Sequence, residues 1–341
     1  MFHIEADNVN HAYYLGLKLM REQGVDSDSR NGKVKKLPRP VVTSYKYPHE
    51  RVLFDKMRDA NPFLHLFESI WMLGGRKDFD WLEQFTSKGR FAQFSDDGKT
   101  LHGAYGHRWR EHFKIDQIDR AIFELFSNPS SRRVVIGMWD PYLDGPVAEV
   151  GGKDVPCNTQ VLFNVRPSGE LDMTVTNRSN DMIWGAYGAN VVHMSILHEY
   201  VAVSAGIPMG TYYQLSNDFH MYERHFNLLS EVEYKDFYSE VGCGMDAEYA
   251  GAMFEPLLAP GQKSNFDKDV MDFLDAPWTA TVYRTPFFTR TIGPMARAYK
   301  LYKAGFRASA VEVAGQIEAP DWRQACVEWI ERRPQAKMSI V

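Results

Sequence analysis

Five short stretches carry side chains whose types and spacing could do chemistry. They are Arg30, the pair Arg132-Arg133, Cys157 within "KDVPCNTQVLFNV", "NRSND" at 177–181 and "DFHMY" at 218–222. Taken singly, each has an ordinary structural explanation: a solvated strand end, a packed thiol, a satisfied core histidine. Taken together they suit a phosphate, because guanidinium forks bind oxyanions through paired, charge-assisted hydrogen bonds and a serine can add another. Arginines beside a cysteine are expected to lower its pKa from roughly 8.5 and enrich the thiolate. A thiolate beside a bound phosphomonoester points to covalent catalysis on the phosphorylated molecule.

The elements around these residues follow from hydrophobic period and turn chemistry. Cys157 precedes a run in which Val161, Phe163 and Val165 alternate with other residues. Pro167-Ser168-Gly169 then supplies a turn, and Leu171, Met173 and Val175 alternate again, which predicts a β-hairpin. "PFLHLFESIWMLGG" (62–75) and a segment near 115–127 read as helices, the first stopped by a glycine pair. "RRVVIGMW" (132–139) reads as a strand, 190–206 as a buried helix closed by Gly206, and 211–215 as a further strand. The polar stretch 26–40 reads as a loop, and residues 232–335 as mostly helical. One α+β domain over residues 1–341, a mixed sheet packed by helices, is the economical architecture.

Composition bounds the function. The chain has 341 residues, a net charge of -5 and three widely spaced cysteines. The charge argues against binding long nucleic acid by bulk electrostatics. The odd cysteine count suggests a reducing compartment without a disulfide framework or zinc site. With no long apolar run and no signal-peptide pattern at the start, a cytoplasmic protein without a membrane span is expected, in a host cell if the source is viral.

"SRRVVIGMWDP", "PCN", "NRSNDMIWG", "DFHMY" and the terminal "AKMSIV" resemble, in order and spacing, motifs of the thymidylate synthase family. The likeness runs from about residue 30 to 225 and returns at the tail. Residues 232–335 do not follow it and form an extra, mostly helical elaboration. The resemblance implies a thymidylate synthase-like fold and a homodimer with shared active sites. It also implies 5,10-methylenetetrahydrofolate as co-substrate, no metal, and a pyrimidine nucleoside 5'-monophosphate as substrate. Cys157 would add to C6 of the base, so that C5 becomes the nucleophile. Arg30, Arg178 and Ser179 would hold the phosphate, joined by Arg132 and Arg133 from the partner. His220 and Tyr222 would bind the sugar. Asp181 and Gly185 would line the base and folate pocket. Glu68 would organise water for proton transfer, Tyr105 would help remove the C5 proton, and the tail ending at Val341 would close on the folate side.

The departures from the family pattern bear on base and product. Asn158 follows the nucleophile where the family usually has histidine. An ungapped count from Arg178 puts Ala189 where the family has a base-reading asparagine, with Asn190 one place further. Because His198 keeps the family's spacing, the count favours Ala189, and an alanine cannot hydrogen-bond the base edge. The "RSND" spelling is also shared with phage deoxycytidylate hydroxymethylases. Phe91 and Phe94 stand where methylating enzymes carry tryptophans that keep water from the methylene carbon. The expectation is therefore a 5-hydroxymethyl product, with dCMP favoured over dUMP. The alternatives are reductive methylation of dUMP and hydroxymethylation of CMP.

Overall fold

In the computed structural model, residues 1–230, 232, 238, 255–279 and 282–334 are described. Val341, singled out in the sequence, and Cys243, one of the three cysteines, lie outside these residues, as does much of the segment between 231 and 254.

A six-stranded mixed sheet forms the frame. Its strands are β1 (Phe2–Ala6), β4 (Val41–Tyr45), β9 (Met209–Ser216), β7 (Leu171–Asn177), β6 (Asn158–Val165) and β5 (Val135–Gly137), in that spatial order. β6 and β7 form the predicted hairpin, with Val161 opposite Val175 and Phe163 opposite Met173. β7 and β9 run parallel, so the chain must cross over between them, and the buried helix makes that crossing.

Three residues shape the ends of the helices beside the site. In α1 (Val9–Gln23), Asn8 caps the start through Oδ1. In α2 (Pro62–Leu73), Asn61 accepts the Leu64 N–H and Pro62 fills the first turn, where its missing N–H costs nothing. α3 (Phe79–Glu83), α4 (Tyr105–His107), α5 (Gln117–Ser127) and α6 (Asp144–Glu149) follow. α7 (Asn190–Ala205) is buried on almost every side and ends at Gly206, whose φ of 72° suits a residue without a Cβ. It packs against α2, α5 and β9 and forms the centre of the core. Among the described residues of the C-terminal part, α8 (Lys263–Asp275), α9 (Gly293–Lys303), α10 (Arg307–Ala314) and α11 (Pro320–Glu331) are helical. α8 and α11 pack on α2. Phe63 contacts Tyr299 and Trp329, and Phe67 contacts Phe273, so this region shares the core of the rest.

Two local expectations are corrected. The polar stretch 26–40 is not a plain loop: β2 (Val25–Ser29) and β3 (Gly32–Lys36) form an antiparallel hairpin. Only Val34 in that hairpin is buried, so no apolar alternation announced it. Gly32 takes a φ of 108° at its turn, which places Arg30 at the tip. The hairpin joins β10 (Phe219–Tyr222) and β8 (Asn180–Asp181) in a second, four-stranded sheet. The strand expected over 132–139 is only Val135–Gly137, because it is an edge strand whose ladder ends early.

Candidate active site

The ends of β6 and β7, the short β8 and β10, and the tip of the β2–β3 hairpin surround one cleft with about 790 Å³ of water-accessible space. Arg30, Tyr105, Cys157, Arg178, Ser179, Asp181, Gly185, Asn190, His220 and Tyr222 all line it. A second limb, lined by Glu68, Phe91, Phe94, Tyr105, Ala189, Asn190 and His193, opens beside it. Phe94, Tyr105, Asp154 and Asn190 face both limbs.

Cys157 sits at the first turn into β6, half-buried. Its position is fixed from two sides. The Tyr105 hydroxyl oxygen accepts the backbone N–H groups of Cys157 and Asn158, each at 3.2 Å. The Arg178 guanidinium donates to the Pro156 carbonyl at 2.7 Å and the Val155 carbonyl at 2.8 Å, and Nη2 lies 3.8 Å from the thiol sulfur. Arg178 is therefore partly a clamp on the backbone just before Cys157, and its Nη1 is left able to meet an anion.

The arginines do act to lower the thiol pKa, but the expected net lowering is corrected. Burial pushes the Cys157 thiol up, and this outweighs the opposing effects of Arg178 and Arg30, while Asp154 and Asp181 add to the rise. Desolvation of a nascent thiolate costs more here than two partly solvated guanidinium groups return. Burial likewise holds the Tyr105 hydroxyl protonated. With its oxygen already accepting two N–H groups, that hydroxyl can donate into the cleft. Asp154, which sequence reading passed over, accepts the Gly103 N–H at 2.8 Å, and burial pushes its carboxyl above the ordinary range.

Glu68 projects from α2, with its Oε2 3.3 Å from Nε2 of His193 on α7. His193 was also missed. The signal available was its spacing: Asn190 and His193 are three apart in a helix and so share a face. His220 and Tyr222 alternate on β10 with their rings 5.3 Å apart, edge to face. His220 Nδ1 lies 2.9 Å from Asp218 Oδ1, and that hydrogen bond holds the Asp218 carboxyl below the usual carboxylate range. An ionised Asp218 keeps the proton on Nδ1 and leaves Nε2 as acceptor. Arg30 donates to the Gly152 carbonyl at 3.1 Å, across the mouth of the cleft.

Three expected site residues lie elsewhere. Arg132 and Arg133 are exposed just before the edge strand β5 and do not line the cleft. The Asn158 side chain points into the interior, fully buried, with neither Oδ1 nor Nδ2 hydrogen-bonded, so only its backbone N–H serves the site.

The segment between "RSND" and α7 decides which side chain faces the cleft. Residues 182–189 are wound wider than an α-helix, and the backbone breaks at Gly188 (φ -108°, ψ -110°). An even count along the chain therefore does not assign faces. Ala189 lines only the Glu68 limb, whereas Asn190 lines both limbs.

Residues 14–240 match the profile of the thymidylate synthase family. A protein of Pseudomonas phage M6 named deoxyuridylate hydroxymethyltransferase is 45% identical over 340 residues, 98% of this chain and 95% of that protein. One of the same name from Bacillus phage SP01 is 32% identical over 249 residues, 70% of this chain and 63% of that protein. The crystal structure of thymidylate synthase from T4 phage superposes with a TM-score of 0.53. It is 22% identical and covers 66% of this chain and 80% of that one, a likeness of fold. The alignment with the M6 protein extends through the C-terminal helices, beyond the family profile.

Proposed function

Because the chain belongs to the thymidylate synthase family, we propose that it transfers a one-carbon unit to C5 of deoxyuridylate and releases a 5-hydroxymethyl product. The observation that carries this reading is the meeting, in one cleft, of Cys157, the Arg178 and Arg30 anion cradle, and the carboxamide of Asn190. The names of the M6 and SP01 relatives add support for uracil. The preference for cytosine rested on Ala189 standing in the asparagine's place and on the "RSND" spelling. Asn190, which lines the same cleft as the thiol, speaks against the first of these, since a carboxamide can pair with the N3–H and O4 of uracil.

The cycle begins with the phosphate taken by Arg178, Ser179 and Arg30, and with the sugar hydroxyl against His220 Nε2 and Tyr222. Cys157 Sγ gives its proton to a water in the cleft and attacks C6, so the C5=C6 electron pair moves onto C5 and O4. C5 is then the nucleophile toward the one-carbon unit. 5,10-methylenetetrahydrofolate fits the second limb, where Phe91, Phe94 and Ala189 offer apolar walls, and it supplies the methylene carbon. C5 bonds to that carbon as its bond to folate N10 breaks, and a water ordered by Glu68 and by the hydrogen bond that the Tyr105 hydroxyl donates carries the C5 proton away. The remaining bond to folate N5 then breaks, which releases tetrahydrofolate and leaves an exocyclic methylene. Water adds its oxygen to that methylene, and the Sγ–C6 bond breaks to restore the C5=C6 double bond and the thiolate; the C5 proton and one water proton end on the two folate nitrogens. Phe94 is 43% exposed, so the wall at this point is open to solvent, as water capture needs.

A homodimer completes the reading. The face of the large sheet turned away from the helices is half-covered, with Leu162, Thr174, Tyr213 and Ser44 in one cross-strand row. A second copy packed there would cover this row and could bring Arg132 and Arg133 to the partner's phosphate.

The test is incubation with methylenetetrahydrofolate and dUMP, dCMP or CMP, read by product mass and dihydrofolate absorbance. Hydroxymethyl-dUMP without dihydrofolate is expected. A methyl product with stoichiometric dihydrofolate would refute water capture, and absence of any product would refute the activity.

A further inference from the structure

Asn180, the third letter of "RSN", has no role in the cycle above, yet it is 2% exposed and its amide is fully engaged. Its Nδ2 donates to Gln214 Oε1 and to Ser216 Oγ, both at 3.0 Å, and its Oδ1 accepts from Asn190 Nδ2 at 3.3 Å. Which end of each amide points where is set by chemistry rather than by shape, because a carboxamide is almost symmetric in outline.

The chain of polarity starts at the Ala186 carbonyl, which can only accept. Gln214 Nε2 donates to that carbonyl at 3.4 Å and to Tyr212 Oη at 2.9 Å. Gln214 must therefore turn Oε1 toward Asn180. Asn180 answers with Nδ2, so its Oδ1 faces Asn190. Asn190 in turn commits one Nδ2–H to Asn180, leaving Oδ1 and the second N–H for a ligand in a fixed left–right order. Reversing any one amide would set like atoms against each other in a buried place, at the cost of an unmade hydrogen bond.

We infer that Asn180 is a positioning residue for base selection: the relay from the Ala186 carbonyl through Gln214 and Asn180 fixes the polarity of the Asn190 carboxamide, so that it presents an acceptor and a donor to uracil and the wrong order to cytosine. Uracil offers N3–H and O4; cytosine offers a bare N3 and an N4 amino group, the reverse pattern. A free asparagine could rotate its amide to suit either. Held by a buried relay, it cannot. The inference rests on the uracil reading above.

The experiment compares kcat/KM for dUMP and dCMP in the wild-type protein, Asn180→Ala and Asn180→Asp, with thermal stability measured for all three. Asn180→Ala frees the Asn190 amide, and the dUMP-to-dCMP ratio is expected to fall about tenfold or more. Asn180→Asp keeps an acceptor facing Asn190 Nδ2. It is expected to restore most of the ratio even where the variant melts lower, an outcome that a merely structural role for Asn180 would not produce. If the wild type prefers dUMP and Asn180→Ala keeps the wild-type ratio, the relay is overturned and the proposed function stands. If no variant makes product from either nucleotide, the function itself has failed. A wild-type preference for dCMP would overturn the relay and the base assignment together, since the imposed polarity would then be wrong for the substrate.

Discussion

Gly185 offers the sharpest single perturbation of the base-reading corner. A Cβ built on it would lie 2.6 Å from Asn180 Oδ1 and 3.1 Å from Asn190 Nδ2. The first separation is well below any ordinary carbon–oxygen contact, so one side must yield by several tenths of an ångström. Asn180 cannot retreat freely, because Gln214 and Ser216 hold its other end. The strain therefore falls on the Asn180–Asn190 bond, already long at 3.3 Å. Overpacking of this kind costs about 1–3 kcal/mol, and the lost hydrogen bond adds about 1 kcal/mol. Part of that cost appears as stability and part as misplacement of Asn190. Gly185→Ala is expected to fold, to melt lower, and to lose about tenfold in kcat/KM for dUMP, on the basis that about 1.4 kcal/mol of misplacement reaches the bound state. The assays are a thermal melt and steady-state kinetics at several dUMP concentrations. A variant with wild-type kcat/KM would refute the reasoning, because it would mean that the tight corner among Gly185, Asn180 and Asn190 has no bearing on how the base is held.

Cys157→Ala should abolish turnover while leaving nucleotide binding nearly intact by equilibrium titration, since the anion cradle remains; retained turnover would rule out the covalent route. The raised thiol pKa gives a pH test: iodoacetamide alkylation of Cys157 should climb with pH through a midpoint above that of a free thiol, roughly 8.5. Asp154→Asn removes a nearby negative charge that favours the protonated thiol, so its midpoint should move down in pH. An unmoved midpoint would exclude that charge as a cause. Burial pushes the Asp321 carboxyl to about 6 from the ordinary 3.8. Its protonated form is the stable one in the fold, so stability is full below pH 4 and is lost as pH rises through 6. Asp321→Asn, which keeps Oδ1 as acceptor for the Trp322 N–H and turns an N–H donor toward Tyr238 Oη, should therefore melt above wild type at pH 8 and converge with it at pH 4. Equal melting temperatures at pH 8 would contradict the assigned cause.

The sequence by itself determined the chemical inventory and most of the frame. A thiol after a proline and arginines in ordered motifs led to the proposed nucleophile and the proposed anion cradle, and the alternation of 161–165 with 171–175 led to the β6–β7 hairpin. Period-two burial and helical spacing are local properties, so a linear reading can see them. It could not see the β2–β3 hairpin, because a strand pair exposed on both faces leaves no hydrophobic period. Tertiary structure decided the quantities that depend on what surrounds a group. The arginines beside Cys157 read as acidifying, yet the thiol is raised, because desolvation is set by atoms from many parts of the chain. Counting favoured Ala189 over Asn190, yet Asn190 lines both limbs of the cleft, because a wide turn and a break at Gly188 separate chain count from helical face. The amide relay through Gln214, Asn180 and Asn190 joins residues 34 and 10 positions apart by the direction of single hydrogen bonds. Such polarity follows from where a carbonyl ends up in space, and no sequence pattern records it.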